Sequence, residues 1–411
     1  MIKTILKNNW AALSVILLLS AIAIATGLNH QIDFDESQHH LKAIQQYIEQ
    51  APMFDLQSYH SASGPLPYVI WSVWGSILGD SIASLRLLTL FFAFGCIFII
   101  LSLLRDQPFK IKVLVLLLST IQPYFISRSL SIYTMIPSLF MGLSALLAYI
   151  RYLESKKTAW LVAYSLFAVC ALFSRQIYLS YIAGISLHFL LYSIRQNRAI
   201  FKKSTLIAFG MPVLLFGMLL IYWGGGNPPG FSGNASKGIN LAQLDFSLIF
   251  LGFWFWPVAY DYLKKLPRWL LIVAGILALH MFVVPLYVSS ENATKLVDNT
   301  ISGIIPRIFE TLIIAGIPTL VIAAIEAVLW AIGVLIFYII LQQLNHVCSW
   351  IIIFHIAILL LVPQVWERYY FPIIPIIWFV LVRNIKTNKI YALQLALQTG
   401  IVAMYLFQKV L

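Results

Sequence analysis

The residues best suited to chemistry come early, in the run His30-Gln-Ile-Asp33-Phe-Asp35-Glu36-Ser-Gln-His39-His40. Behind it, Leu41, Ile44, Tyr47 and Ile48 recur at helical spacing. That predicts a helix capped by Asp35, running to Gln50 and stopping at Pro52, with its apolar face on a membrane surface. A carboxylate at a helix N-terminus is kept ionised by the dipole. In that state, at a water–lipid boundary, it can accept the proton of a sugar hydroxyl. Ordinary capping accounts for an Asp-Glu pair at a helix start as well, and Asp33 and Glu36 compete with Asp35 for the role of base. Asp35, Glu36, His39 and His40 also make a mixed Asp/His set of the kind that holds a divalent metal. The spacing is not HExxH and no cysteine joins the set. The expectation is therefore no metal and no cofactor, with a divalent ion as the alternative.

Five arginines, Arg86, Arg128, Arg175, Arg307 and Arg368, each stand at the edge of an apolar run. A guanidinium there costs free energy unless it is paired or wet. Pairing with nearby carboxylates, such as Arg307 with Glu310, explains any one of them. Five at one depth suggest a shared anionic ligand, and a lipid-linked phosphate fits the paired donors of guanidinium. Near the end, Glu367-Arg368-Tyr369-Tyr370-Phe371-Pro372 gathers charge, aromatic rings and proline at another boundary. An interfacial aromatic belt is the plain reading of its rings. Lone His280, His355 and Glu326 inside apolar runs read as packed or paired groups.

The elements that must carry these residues follow from composition. Of 411 residues, 61% are hydrophobic and 10% charged, with a mean hydropathy of +0.89. Soluble domains run at about 45–50% apolar and about 25% charged. So much apolar surface does not fit one aqueous core, which excludes a soluble enzyme. The net charge of +12 is explained by cytoplasmic Lys and Arg rather than by nucleic acid. Cys96, Cys170 and Cys348 lie in apolar runs and form no CxxC pair.

Thirteen apolar runs predict an all-α, polytopic fold of about 13 transmembrane helices: 10–28, 82–104, 111–127, 132–150, 158–174, 176–194, 204–222, 247–262, 268–287, 320–341, 347–362, 370–383 and 390–408. The first suits a span better than a cleaved signal core, although Lys3, Lys7 and Ala23-Ile24-Ala25 resemble one. Pro65–Leu78 and Ile304–Pro318 are too short or too punctuated to cross and read as interfacial helices. Eighteen of the 27 Lys and Arg fall on the side of the N-terminus, which makes that side cytoplasmic and puts the first large loop, 29–81, outside. The chain reads as one transmembrane domain, 1–411, in which that loop carries the acidic pair. The segment Gly224–Gly238 reads as a Gly/Pro-rich outer loop. The sequons at Asn234 and Asn292 are chance-level matches.

Taken in order, these residues resemble the GT-C class of polytopic glycosyltransferases, which carry Asp or Asp-Glu in the first outer loop followed by two interfacial helices. Gly64-Pro-Leu-Pro-Tyr68 would open the second such helix, and Ser84–Phe94 resembles the start of the second span. The pattern is most similar to dolichyl-phosphate-glucose-dependent α-1,2-glucosyltransferases. Their Asp-Glu-x-x-His element is matched by Asp35, Glu36 and His39, and their Pro-containing element before a Tyr by Pro65 and Tyr68. Phe173-Ser174-Arg175-Gln176 matches Phe-Arg-Gln with one insertion, and Glu367 to Phe371 matches Glu-x-Arg-Tyr-Phe loosely. One departure stands out: Ser127-Arg128-Ser129-Leu130-Ser131 holds no carboxylate where the family has a Glu.

The resemblance implies inverting transfer of one sugar, hexose or pentose, from a polyprenyl-phosphate donor to a glycan, lipid-linked glycan or protein acceptor. Asp35, with Glu36, would be catalytic. Arg175 and Arg368 would stabilise the leaving phosphate, with Arg128 and Arg86 in reserve. His39, His60, Gln176 and Tyr369 would position sugar or phosphate. The setting would be a bacterial inner membrane with the site facing outside, or an endoplasmic reticulum membrane with a lumenal site. A lipid-linked-sugar flippase predicts charges at mid-membrane, and an O-antigen ligase or polymerase would not need Asp35-Glu36.

Overall fold

A computed structural model describes residues 2–26, 28, 32–59, 61–196, 202–234, 238–263, 265–283, 286, 301–382, 385 and 389–410. Among the described residues the regular structure is helical apart from a two-residue parallel pair, Ile301–Ser302 with Val365–Trp366. The chain divides into two compact units, residues 1–235 with 395–411, and residues 236–394.

In the first unit α1 spans Ile2–Thr26. One turn of π-helix, Glu36–His40, then leads directly into α2, Leu41–Gln50. This helical stretch ends at Gln50, as its periodicity predicts. Its apolar face does not lie on a membrane surface, however. Ile44 and Tyr47 are fully buried, and Ile48 lies against Gly75 of α3, Leu66–Leu78. Helix α3 spends its own polar donors on α4, Ile82–Leu103: Trp71 Nε1 donates to the Leu85 carbonyl and Trp74 Nε1 to that of Ser84. The other side of α3 leaves Val73 and Ile77 bare, the apolar face of an interfacial helix.

The run expected to cross at 111–127 is broken. α5, Phe109–Thr120, and α6, Pro123–Ser129, meet at 68°. Pro123 lacks the N–H that would continue the helix, and the Gln122 side chain accepts the Tyr124 N–H to cap the new one. Packed helices follow: α7, Met135–Ser155; α8, Thr158–Ser174; α9, Leu179–Arg195; and α10, Lys203–Trp223.

The second unit is built on α11, Ala242–Tyr262, with α12, Arg268–Ala278; α13, Ile304–Ile314; α14, Thr319–Leu341; α15, Val347–Leu359; and α16, Ile374–Leu381. Helices α11 and α14 touch backbone to backbone. A Cβ on Gly252 would strike the Leu329 carbonyl, and one on Gly333 the Leu248 carbonyl. Small residues permit this approach in membranes, where packing rather than the hydrophobic effect drives helices together. The last helix, α17, spans Lys389–Val410.

All thirteen apolar runs thus carry helix within the described residues. Six helices are long and apolar enough to cross a bilayer singly: Ile82–Leu103, Met135–Ser155, Gln176–Arg195, Lys203–Trp223, Ala242–Tyr262 and Thr319–Leu341. The bent α5–α6 pair makes a seventh if it is one span. The remaining runs form shorter helices or shorter described segments, because turns and breaks use up their ends. Phe98, Leu214, Ile221, Leu320 and Val328 project from the long helices, each more than half exposed. Lipid is the solvent in which such faces are stable. The protein is an integral, multi-pass membrane protein.

Candidate active site

Three carboxylates within four residues take three different partners, and the contrast defines the site. Asp33 pairs with Arg128 Nη1 at 3.0 Å, both side chains mostly buried. Glu36 is wholly buried and takes a two-pronged ion pair from Arg86, Nη2 to Oε2 at 2.6 Å and Nε to Oε1 at 2.9 Å. The Ile132 N–H donates to the same Oε1 at 2.8 Å. Asp35, between them, is half-exposed, and its Oδ2 accepts a 3.0 Å hydrogen bond from the Tyr133 hydroxyl.

The expected capping by Asp35 does not occur. The Ser37 N–H already donates to the Asp33 carbonyl, so the first turn begins at Asp33. Asp35 itself has helical backbone angles, φ −61° and ψ −38°, with no side-chain cap hydrogen bond. Its carboxylate turns instead toward the loop between α6 and α7. That loop follows directly on Ser127–Ser131, the segment that holds no carboxylate. It supplies the Ile132 N–H to Glu36 and the Tyr133 hydroxyl to Asp35. Arg128 lies flat over the Tyr133 ring, 3.8 Å from its centroid, and the His40 ring meets the same ring edge-on at 4.7 Å.

Arg86, expected as a reserve phosphate ligand, is fully buried. Besides Glu36 it donates through Nη1 to the Leu28 carbonyl at 2.7 Å. Desolvating two charges costs about what their attraction returns, so such a pair fixes geometry more than it adds stability. Glu36, expected beside Asp35 as a catalytic carboxylate, shares that buried position. Neither side chain reaches the surface.

The Phe173–Gln176 element forms the second wall. Helix α8 ends at Ser174, because Arg175 is fully extended at φ −155°, ψ 130°. The Gly64 N–H donates to the Ser174 carbonyl at 3.1 Å, and a Cβ on Gly64 would collide with the Phe173 carbonyl. Gln176 Nε2 donates to the Ala62 carbonyl at 2.9 Å and to that of Gly226 at 3.3 Å. Gln176 therefore acts as a strut between two loops. Behind Gly64, the Tyr68 hydroxyl donates to Ser61 Oγ at 2.6 Å and sits 2.7 Å from His40 Nδ1. Burial holds this phenol above the ordinary tyrosine range, with the Arg175 charge opposing and the Asp35 charge adding to the shift.

Tyr47 and Tyr59 complete the wall. Burial pushes both phenols above the ordinary tyrosine range, so they remain neutral donors, to the Asp55 and Ser63 carbonyls. The Gln57 N–H holds Asp55 below the usual carboxylate range. His39 packs its ring edge-on against Phe34 and Phe231. His60 lies outside the described residues.

Arg368 and Tyr369 belong to the second unit. Arg368 stacks on Trp366, 4.0 Å from the ring centroid, and Tyr369 lies 5.4 Å from the same ring. Glu367 is buried and accepts from Trp254 Nε1 and the Ile305 N–H, which anchors the segment. Arg307 and Glu310 are both exposed on α13, with no ion pair between them among the described residues. The groups read as packed are so: Glu326 accepts the Leu286 N–H, His355 Nε2 bonds the Tyr369 carbonyl, and His280 sits between the Leu277 carbonyl and Asp245. No three metal-ligating side chains converge among the described residues.

Tyr133 and Ile132 were not legible as site residues. Each acts through a partner far away in sequence or through its main chain. Only the empty place in the family pattern pointed toward Tyr133.

No protein-family model and no curated protein matches this sequence. Among solved structures the chain is similar to ArnT from Cupriavidus metallidurans in the apo state, at 12% identity and a TM-score of 0.39, over 91% of this chain and 78% of that one. It is similar also to the same protein bound to undecaprenyl phosphate, at 13% identity and a TM-score of 0.41, over 90% and 78% of the two chains. What the site can do follows from its own residues.

Proposed function

We propose that the protein is a membrane glycosyltransferase of the GT-C type that moves one hexose or pentose from a polyprenyl-phosphate donor to an acceptor hydroxyl. The observation that carries this reading is the half-exposed Asp35 carboxylate, held by Tyr133 while both of its acidic neighbours are tied to arginines. Asp35 accepts from the neutral hydroxyl of Tyr133, whereas Asp33 and Glu36 accept from guanidinium groups.

In the proposed reaction Asp35 takes the proton of the acceptor hydroxyl. The oxygen lone pair forms a bond to the anomeric carbon, and the carbon–oxygen bond to phosphate breaks with its electron pair on the phosphate. Displacement from the opposite face inverts the centre. A phosphate monoester leaves without protonation if a cation meets its charge. Arg175, beside Tyr68, is that cation in the first unit. The second unit, taken by itself, offers Arg368, stacked on Trp366, as a proposed anion-binding group. No metal takes part in this scheme.

Glu36 and Arg86 are proposed as positioning residues, and Gln176 as the strut that aims Arg175. His39 is proposed to contact sugar. The likeness to α-1,2-glucosyltransferases suggests glucose as the first sugar to test, with glycan, lipid-linked glycan and protein as acceptor classes. The site is proposed to face outward from a bacterial inner membrane, or into the lumen in an endoplasmic reticulum membrane.

The direct test incubates the purified protein with a panel of polyprenyl-phosphate sugars and measures released lipid phosphate. Release from at least one donor supports transfer. Binding of donors with vectorial movement across vesicles and no release favours a flippase.

A further inference from the structure

Beyond the base itself, the geometry points to Tyr133 as a positioning residue that holds Asp35 ionised and fixes the direction of its carboxylate. This rests on the reading of Asp35 as base. Tyr133 stands 98 residues from Asp35, is 4% exposed, and donates to Oδ2 at 3.0 Å. A donor to a carboxylate stabilises the charged form. The hydrogen bond also ties one carboxylate oxygen to a rigid partner. The next residue back, Ile132, donates its N–H to Glu36, and the next forward, Thr134, has its hydroxyl 3.1 Å from Ser63 Oγ. Three consecutive residues thus grip the acidic pair and the loop beside it, and Tyr133 has little room to follow Asp35 if the acid moves.

Arg128 strengthens the arrangement. Its guanidinium lies 3.8 Å over the Tyr133 ring while Nη1 pairs with Asp33. A cation on the ring face draws electron density from the phenol, which makes the hydroxyl a better donor to Asp35. Arg128 thus sets a cation, and Tyr133 a neutral donor, on the side of Asp35 that faces this loop. The charged and titratable groups around Asp35 divide by sign. Arg128, Arg86 and Arg175 favour its ionised form, and Asp33 and Glu36 disfavour it. His40, against Tyr133 and Tyr68, adds to the first set when protonated.

The test reads protonation of Asp35 without turnover. A hydrophobic carbodiimide modifies carboxyls in their neutral form, so the pH midpoint of labelling at Asp35, followed by peptide mass spectrometry on the full-length protein in detergent, reports its protonation. Y133F removes one hydroxyl. It is expected to raise the midpoint by roughly one pH unit, about tenfold in the protonation equilibrium, as befits a hydrogen bond to a charged group. Genetically encoded 3,5-difluorotyrosine at 133 keeps the ring and sharpens the donor, and is expected to lower the midpoint. A merely structural Tyr133 would move neither. An unmoved midpoint in both variants, each eluting as a monodisperse species, overturns the proposal. Retained turnover in D35N would instead sink the base reading and leave the labelling result standing, so the two failures are distinguishable.

Discussion

Glu36 and Arg86, fifty residues apart in sequence, close a two-pronged ion pair of 2.6 and 2.9 Å with neither side chain exposed. The pair ties the π-turn that follows Asp35 to α4, and the Leu28 carbonyl is held by the same guanidinium. Glu36 is adjacent to Asp35, yet one is locked in the interior and the other reaches the surface. A helical turn separates neighbouring side chains by about 100°, which is enough to put one acid inside and one out.

Breaking this pair from one side strands a buried charge. Arg86→Leu is expected to destabilise the protein by about 3–5 kcal/mol and to lower its thermal midpoint in detergent. The double variant E36L/R86L, which buries no charge, should recover much of that loss. A double variant as damaged as the sum of the two singles would mean that the two residues are not coupled, and would contradict the pair.

Gly64 is the contact point between the first long loop and the end of α8. Gly64→Ala puts a Cβ against the Phe173 carbonyl, which is backbone and does not swing away. The loop must lift, taking with it the Gly64 N–H bond to Ser174 and straining the Gln176 bond to Ala62. Donor turnover should fall at least tenfold while the thermal midpoint shifts little. The check is to measure both on one preparation.

Much of this architecture is local and could be read from the chain. Each of the thirteen apolar runs carries helix, because hydrophobic length and helix formation go together in lipid. The break at Ile121–Gln122 was signalled by Pro123, and counting apolar residues passed over it. What failed was anything decided by a distant partner. Asp35 reads as a cap from its neighbours alone. It becomes a hydrogen-bond acceptor only because Tyr133, 98 residues on, reaches it first. Likewise Arg86 and Arg128 read as phosphate ligands by their depth in the chain, while the fold gives them Glu36 and Asp33. The helix α2 face, amphipathic in sequence, finds α3 rather than lipid.

Arg175 follows the end of α8 in extended backbone, φ −155° and ψ 130°, between the Ser174 and Gln176 contacts to the first long loop. Arg175→Lys keeps the charge and loses the planar fork that matches phosphate oxygens. Turnover is expected to drop by about tenfold or more, in line with losing a charge-assisted hydrogen bond, with the thermal midpoint unchanged. Wild-type turnover in the Lys variant would count against phosphate contact there.

The central claim is that Asp35 is the base. The most direct measurement compares lipid-phosphate release by the wild-type protein and D35N, using the donor that turns over in the panel, with donor binding measured alongside. Asn keeps the shape of Asp and can still accept from Tyr133, so the fold and donor affinity should persist. Removing a general base costs about 10²–10⁴ in rate, and D35N is predicted to lose that much while D33N keeps a greater share of its activity. Near-normal release by D35N, from protein that binds donor as the wild type does, would contradict the account.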